Sequence, residues 1–160
     1  VHRKKVRRKR RVFLSGLLAV TAALGISPAA YAVDDTLNLY SPEACKTPGA
    51  STFKFHIYYN SGEAGAYRNI GYSVWNFADV PDGVVGAASP LKFCPSGGAL
   101  GSNQNIKNNA ASGENDHYKY YAKVCFYSGF RGPCDVMAAY QHIDRFPNVY
   151  NENASFEWTS

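Results

Sequence analysis

Beyond residue 32 the chain carries three histidines, His56, His117 and His142, and four cysteines, Cys45, Cys94, Cys125 and Cys134. Imidazoles and thiols are the groups best able to act as bases, nucleophiles or metal ligands near neutral pH, so their spacing comes first. Asp116-His117 and His142-Ile143-Asp144 set a carboxylate beside an imidazole, two members of a catalytic relay. A relay also needs a nucleophile converging on it, and no Gly-x-Ser-x-Gly turn nominates one. No histidine sits in a His-Glu-x-x-His zinc motif. His56 alternates with apolar neighbours and is expected to face solvent. The cysteines lack any Cys-x-x-Cys spacing, which argues against zinc and thioredoxin-type chemistry. No catalytic residue is therefore expected, and the chain is not expected to be an enzyme.

The elements that position these residues begin after a targeting segment. Residues 3–11 form a basic run, residues 12–26 are apolar and uncharged, and Ala30-Tyr31-Ala32 has the Ala-x-Ala form of a cleavage site. This is the layout of a secretory signal peptide over residues 1–32. The apolar stretch falls short of the roughly 20 residues that span a bilayer. Arg10-Arg11-Val12-Phe13-Leu14 also resembles a twin-arginine export signal, and general secretory export is the alternative. Eight of the 17 basic residues lie in that segment, so residues 33–160 keep nine against 12 acidic residues, a net charge of −3. The basic patch that nucleic-acid binding needs is missing. The expectation is a secreted, extracellular, monomeric domain with no membrane association once the signal is removed.

Four cysteines in an exported chain favour two disulfides, and three pairings are possible. Cys125 and Cys134 flank a Gly-rich turn that a hairpin would close, and Cys45–Cys94 then follows by elimination.

The strand signals are strong. In 53–59, Phe53, Phe55, Ile57 and Tyr59 alternate with Lys54, His56 and Tyr58, the period of a half-buried strand. Residues 67–70, 72–77 and 156–158 read as short strands, 118–127 as a long one, and 136–140 as a strand or a single helical turn. No helical period persists over ten residues, so an all-β chain is expected. The sequence also repeats itself. Ile57, Tyr59, Ser61-Gly62 and Gly65 recur as Val124, Phe126, Ser128-Gly129 and Gly132. Each copy ends on an Asn-rich phrase, Asn108-Asn109-Ala110-Ala111-Ser112 and Asn151-Glu152-Asn153-Ala154-Ser155. Two supersecondary units are implied, about 53–115 and 118–160. The first is longer by 24 residues, and the excess falls in the turn-rich stretch 80–101.

Phe130-Arg131-Gly132 matches the aromatic-x-Gly hairpin of the βγ-crystallin Greek key, and Glu63-Ala64-Gly65 keeps its glycine. The Asn-rich phrases resemble that family's later motif of two Asn or Asp, two variable residues and Ser, without the final Ser. Within the superfamily, a secreted chain with two such motifs and four cysteines resembles the actinobacterial metalloproteinase inhibitors, over about 53–158. The resemblance implies two Greek-key motifs in a βγ-crystallin-like sandwich, stapled by disulfides. It implies a peptidase inhibitor that inserts a loop into the cleft of an extracellular peptidase, without a cofactor. Two segments are chemically suited to insertion: Leu91, Lys92, Phe93 and Cys94 in the long first copy, and Phe126, Tyr127 and Phe130 in the Cys125–Cys134 hairpin. The alternative is a structural or weak calcium-binding module at the cell surface or in an antimicrobial role. Asn108, Ser112, Glu152 and Ser155 could offer calcium some of the six to eight oxygens it takes, though only Glu152 is charged. Turn-tying hydrogen bonds are the competing role for these side chains.

Overall fold

The computed structural model describes residues 29–160, so most of the expected signal segment lies outside it. Among the described residues no helix is long and apolar enough to cross a membrane. One α-helix, α1 (Ala29–Tyr40), opens this part of the chain. It is a departure from the all-strand expectation, and its apolar residues have no sustained helical period by which to recognise it.

Nine strands follow, built on the alternating aromatic and β-branched runs: β1 (Phe55–Asn60), β2 (Ala64–Ile70), β3 (Val80–Pro81), β4 (Ala88–Ser89), β5 (Ser112–Asn115), β6 (Tyr121–Tyr127), β7 (Arg131–Met137), β8 (Gln141–Ile143) and β9 (Ser155–Thr159). They form a four-stranded sheet in the order β2-β1-β5-β8, a three-stranded sheet β7-β6-β9, and the small hairpin β3-β4. The pairings are antiparallel. In each large sheet a hairpin is joined on its inner strand by the last strand of the same copy. The third segment of each copy crosses over: β8 of the second copy pairs with β5 of the first. Val74 of the first copy bridges to Phe156 in β9 of the second. Residues 72–77 thus supply a single bridging residue, not the short strand their alternation suggests. Two Greek keys exchange their third segments, giving the all-β, βγ-crystallin-like sandwich implied by the motifs.

The core lies between the sheets. Phe55 from β1 and Phe156 from β9 stack face to face, with centroids 4.2 Å apart and planes 6° from parallel. Ile57, Ile70, Val74, Phe77, Val124 and Met137 are fully buried around them.

The outer face of β1 is not solvated as its alternation predicts. His56 and Tyr58 are buried along with Phe55 and Ile57. The chain before β1 covers them through two single-turn helices, Pro42–Cys45 and Pro48–Ala50. Asn69 beside His56 donates from Nδ2 to the carbonyls of Glu43 and Lys46, at 2.8 and 2.7 Å. Arg68 is buried, meets no carboxylate among the described residues, and donates to the carbonyls of Asn38, Leu39 and Lys92. It thereby caps the C-terminal end of α1, where the helix dipole favours a cation, while burial lowers its pKa to about 10. Asn38 Oδ1 accepts from the backbone N–H groups of Gly71 and Tyr72.

Both expected disulfides form, Cys45–Cys94 and Cys125–Cys134. The first bolts the N-terminal arm to the long insertion. The second spans the β6-β7 register pair Cys125↔Cys134. Near the arm, Glu43 pairs with Lys46 and accepts from the Thr52 N–H at 2.7 Å. The lysine contact first and the Thr52 bond second lower its pKa from 4.5 to about 2. A carboxyl held below its unfolded value adds stability that is complete above that value and is lost as pH falls towards the folded one. Glu43→Gln is therefore expected to flatten the acid limb of the melting temperature between about pH 4.5 and pH 2, measured by circular dichroism across pH.

Candidate functional site

The duplicated motifs serve one geometric purpose twice. Gly62 and Glu63 in the first hairpin, and Gly129 and Phe130 in the second, all take positive φ, and Gly65 and Gly132 follow at 77° and 82°. At Gly132 a Cβ would sit 2.6 Å from the Tyr127 ring, so only glycine lets that ring lie across the strand. Ser112 Oγ accepts from the Glu63 N–H at 3.1 Å and donates to the Asn60 carbonyl at 2.6 Å. Ser155 Oγ does the same with the Phe130 N–H at 3.1 Å and the Tyr127 carbonyl at 2.7 Å. The Asn-rich phrases cross-bond with near two-fold symmetry, the Asn108 N–H to the Asn153 carbonyl and the Asn151 N–H to the Ala110 carbonyl.

This places the four calcium candidates. Ser112 and Ser155 are fully buried, and each hydroxyl is already committed to two bonds. Asn108 and Glu152 are exposed and line one groove together with Phe126 and Tyr127. Asn153, in the glycosylation-like Asn-Ala-Ser triplet, is buried, and its amide bonds to the carbonyls of Ala110 and Val149.

The two insertion candidates differ. Leu91, Phe93 and Cys94 do not form an exposed loop. They are at most 2% exposed and are pinned by backbone bonds to Phe77, Gln104 and Tyr67. Lys92 alone of the four faces out. Their apolar character reflects core packing, and the disulfide anchors them from behind. In the other segment Tyr127 is exposed, Phe126 is half-buried, and Phe130 packs edge-on against Trp75 with centroids 5.3 Å apart.

Another segment stands out. The β3-β4 hairpin carries Val84 and Val85 at its tip, 67% and 103% exposed. Asp82 Oδ1 accepts from the Val84 N–H at 3.0 Å, and the Ala87 N–H donates to the Val84 carbonyl at 3.0 Å. Gly83 sits against Thr36 of α1, which leaves room for nothing larger than a glycine without displacement. Two β-branched apolar residues framed by Gly83 and Gly86 are unusual in a turn, where Gly, Pro, Asn, Asp and Ser dominate.

Of the two histidine–carboxylate neighbours, Asp116 and His117 separate in space, while His142 and Asp144 stay together. His117 Nδ1 accepts from the N–H groups of Lys119 and Tyr120, capping a turn, and its ring packs on Tyr118, Tyr120 and Trp158. Asp116 faces His56 instead, with Oδ2 3.4 Å from Nε2. His142 lies 3.9 Å from both Glu63 and Asp144 in an exposed cluster. Burial first and the nearby Glu114 second push the Glu63 carboxyl above its usual value. Among the described residues two groupings thus have metal-ligand character, His56 with Glu114 and Asp116, and Glu63 with His142 and Asp144.

No family model matches the chain, and no curated protein matches it. A solved structure concerned with the evolution of the eye lens beta-gamma-crystallin domain fold is similar, at 11% identity and a TM-score of 0.47, covering 68% of this chain and 86% of that one. The fold rests on the strand order described above.

Proposed function

We propose that the protein is a secreted inhibitor of extracellular peptidases, metalloproteinases first among them, acting by inserting an apolar loop tip into the peptidase cleft. The observation that supports this reading is the exposed Val84–Val85 tip on an internally bonded hairpin. Behind it, Leu91, Phe93 and the Cys45–Cys94 disulfide fix the insertion to the core. A pre-ordered tip loses little conformational freedom on docking, and a thermolysin-like subsite takes large apolar side chains. The protein acts by occupancy, needs no cofactor, and performs no catalysis itself. Tyr127, exposed on the β6-β7 hairpin, is the secondary insertion candidate.

Titrating a thermolysin-like metalloproteinase with the purified protein tests the reading, with residual peptidase activity as readout. Stoichiometric loss of activity is expected. Val84→Asp combined with Val85→Asp is expected to weaken inhibition about 100-fold, the size of a strong interface anchor. Its melting temperature should stay near the parent value, because neither side chain packs in the core. Full peptidase activity at large molar excess, for both the metalloproteinase and a serine peptidase, would remove the inhibitor reading. Unchanged inhibition by the double variant would move the contact to the Tyr127 hairpin.

A further inference from the structure

On the outer face of the four-stranded sheet, Asn69, His56, Glu114 and His142 stand side by side in register across β2, β1, β5 and β8. Asp116 follows two residues after Glu114. We propose that His56 Nε2, Glu114 and Asp116 form a binding site for a divalent transition-metal ion of zinc type, independent of the peptidase reading.

The proton positions carry the argument. Asn69 Nδ2 donates to two backbone carbonyls, which fixes its amide and turns Oδ1 towards His56 Nδ1 at 2.7 Å. Nδ1 must therefore bear the proton. The other ring nitrogen, Nε2, faces the carboxylates of Asp116 and Glu114. The His56 side chain is fully buried, and Nε2 has no hydrogen-bond partner, the Asp116 oxygen standing 3.4 Å away. Nε2 thus lacks a hydrogen-bond partner on the side where two carboxylates gather, and a bound cation would give it a partner.

The spacing suits a metal. With bonds of about 2.0–2.1 Å in tetrahedral geometry, neighbouring ligand atoms lie about 3.4 Å apart. Nε2 and Asp116 Oδ2 have that separation. All three ligand atoms lie within 4.8 Å of one another, so Glu114, only partly buried, closes the set by a small side-chain swing. One imidazole nitrogen with two carboxylates favours zinc over calcium or magnesium, which take oxygen ligands. The two carboxylates balance the ion's charge. Water completes the coordination from the groove of about 670 Å³ that Asp116 shares with Thr52, Lys54, Tyr72 and Trp158. The outer supports are present as well. Asn69 holds the imidazole, and the Tyr58 hydroxyl donates to Glu114 Oε2 at 3.1 Å.

The test is calorimetric titration of untagged, metal-stripped protein with zinc chloride, backed by cobalt substitution. One zinc ion per chain is expected, and cobalt should give the visible absorption of a low-symmetry, four-coordinate site. Asp116→Asn and Glu114→Gln, both at partly exposed positions, are expected to fold and to lose this binding. Tyr58→Phe should weaken it about 10-fold. His142→Ala should leave it unchanged. No uptake of zinc by the parent protein overturns the proposal. So does binding that survives Asp116→Asn and Glu114→Gln but fails in His142→Ala, which would assign the ion to the exposed cluster.

Discussion

Phe156→Ala is expected to lower stability by about 3–5 kcal/mol, the range for truncating a buried phenylalanine. Phe156 is fully buried and stacks on Phe55 from the opposite sheet. Trp158 packs edge-on against both rings, so truncation leaves a void walled by rigid aromatic faces that cannot collapse into it. The same residue exchanges both backbone bonds with Val74, at 2.7 and 3.0 Å, and this bridge is where the first copy enters the second sheet. Domains of this size hold about 5–15 kcal/mol in total, so the variant should melt about 10–20 °C lower. Urea unfolding checks it. The midpoint should fall at an unchanged slope, and tryptophan fluorescence and far-UV circular dichroism should trace one transition. Two separate transitions would mean that the sheets do not share this contact as one cooperative core.

The Cys45–Cys94 disulfide carries the second large effect. Its ends are 49 residues apart, against nine for Cys125–Cys134. Cross-linking restricts the unfolded chain in proportion to the logarithm of the loop, giving about 4 kcal/mol for the long bridge and about 2.5 kcal/mol for the short one. Paired Cys→Ser substitution at 45 and 94 is expected to cost more than pairing at 125 and 134. The order should appear directly in the urea midpoints. The arm itself should stay docked in the folded variant, because Asn69 still binds the carbonyls of Glu43 and Lys46, and Arg68 still binds the end of α1. A reversed order would place the stabilisation in native contacts around Cys125–Cys134.

What could be read in the sequence depended on whether the constraint was local. Gly65 and Gly132 adopt a backbone conformation that other residues avoid, and Ser112 and Ser155 sit where a hydroxyl must both give and take a bond. Those demands recur as residue types at fixed spacing, so the duplicated unit was visible. The alternation in 53–59 correctly located β1, but it carried no information about what lies on the strand's other face. His56 is buried there by residues near 43–46 and by Asn69, partners that only the fold brings together. The same holds for Leu91 and Phe93. A short apolar run among turn residues suits either an exposed loop or a buried plug, and only the backbone bonds to Phe77 and Gln104 decide for the plug. Val84 and Val85 are the converse, apolar residues left exposed with a glycine on either side.

The exchange of third segments has a consequence for the order of events during biosynthesis. When the ribosome has finished the first repeat, β5 still lacks β8 along one side and Val74 has nothing to bridge to. Neither sheet can be completed until residues 141–159 have been made. Closing those long loops must precede the contacts that reward it, so folding should be slow for a chain this short. A partly synthesised chain would therefore carry its aromatic core still exposed. Until the last strand is in place neither repeat is a finished unit, and the two close together in one late step.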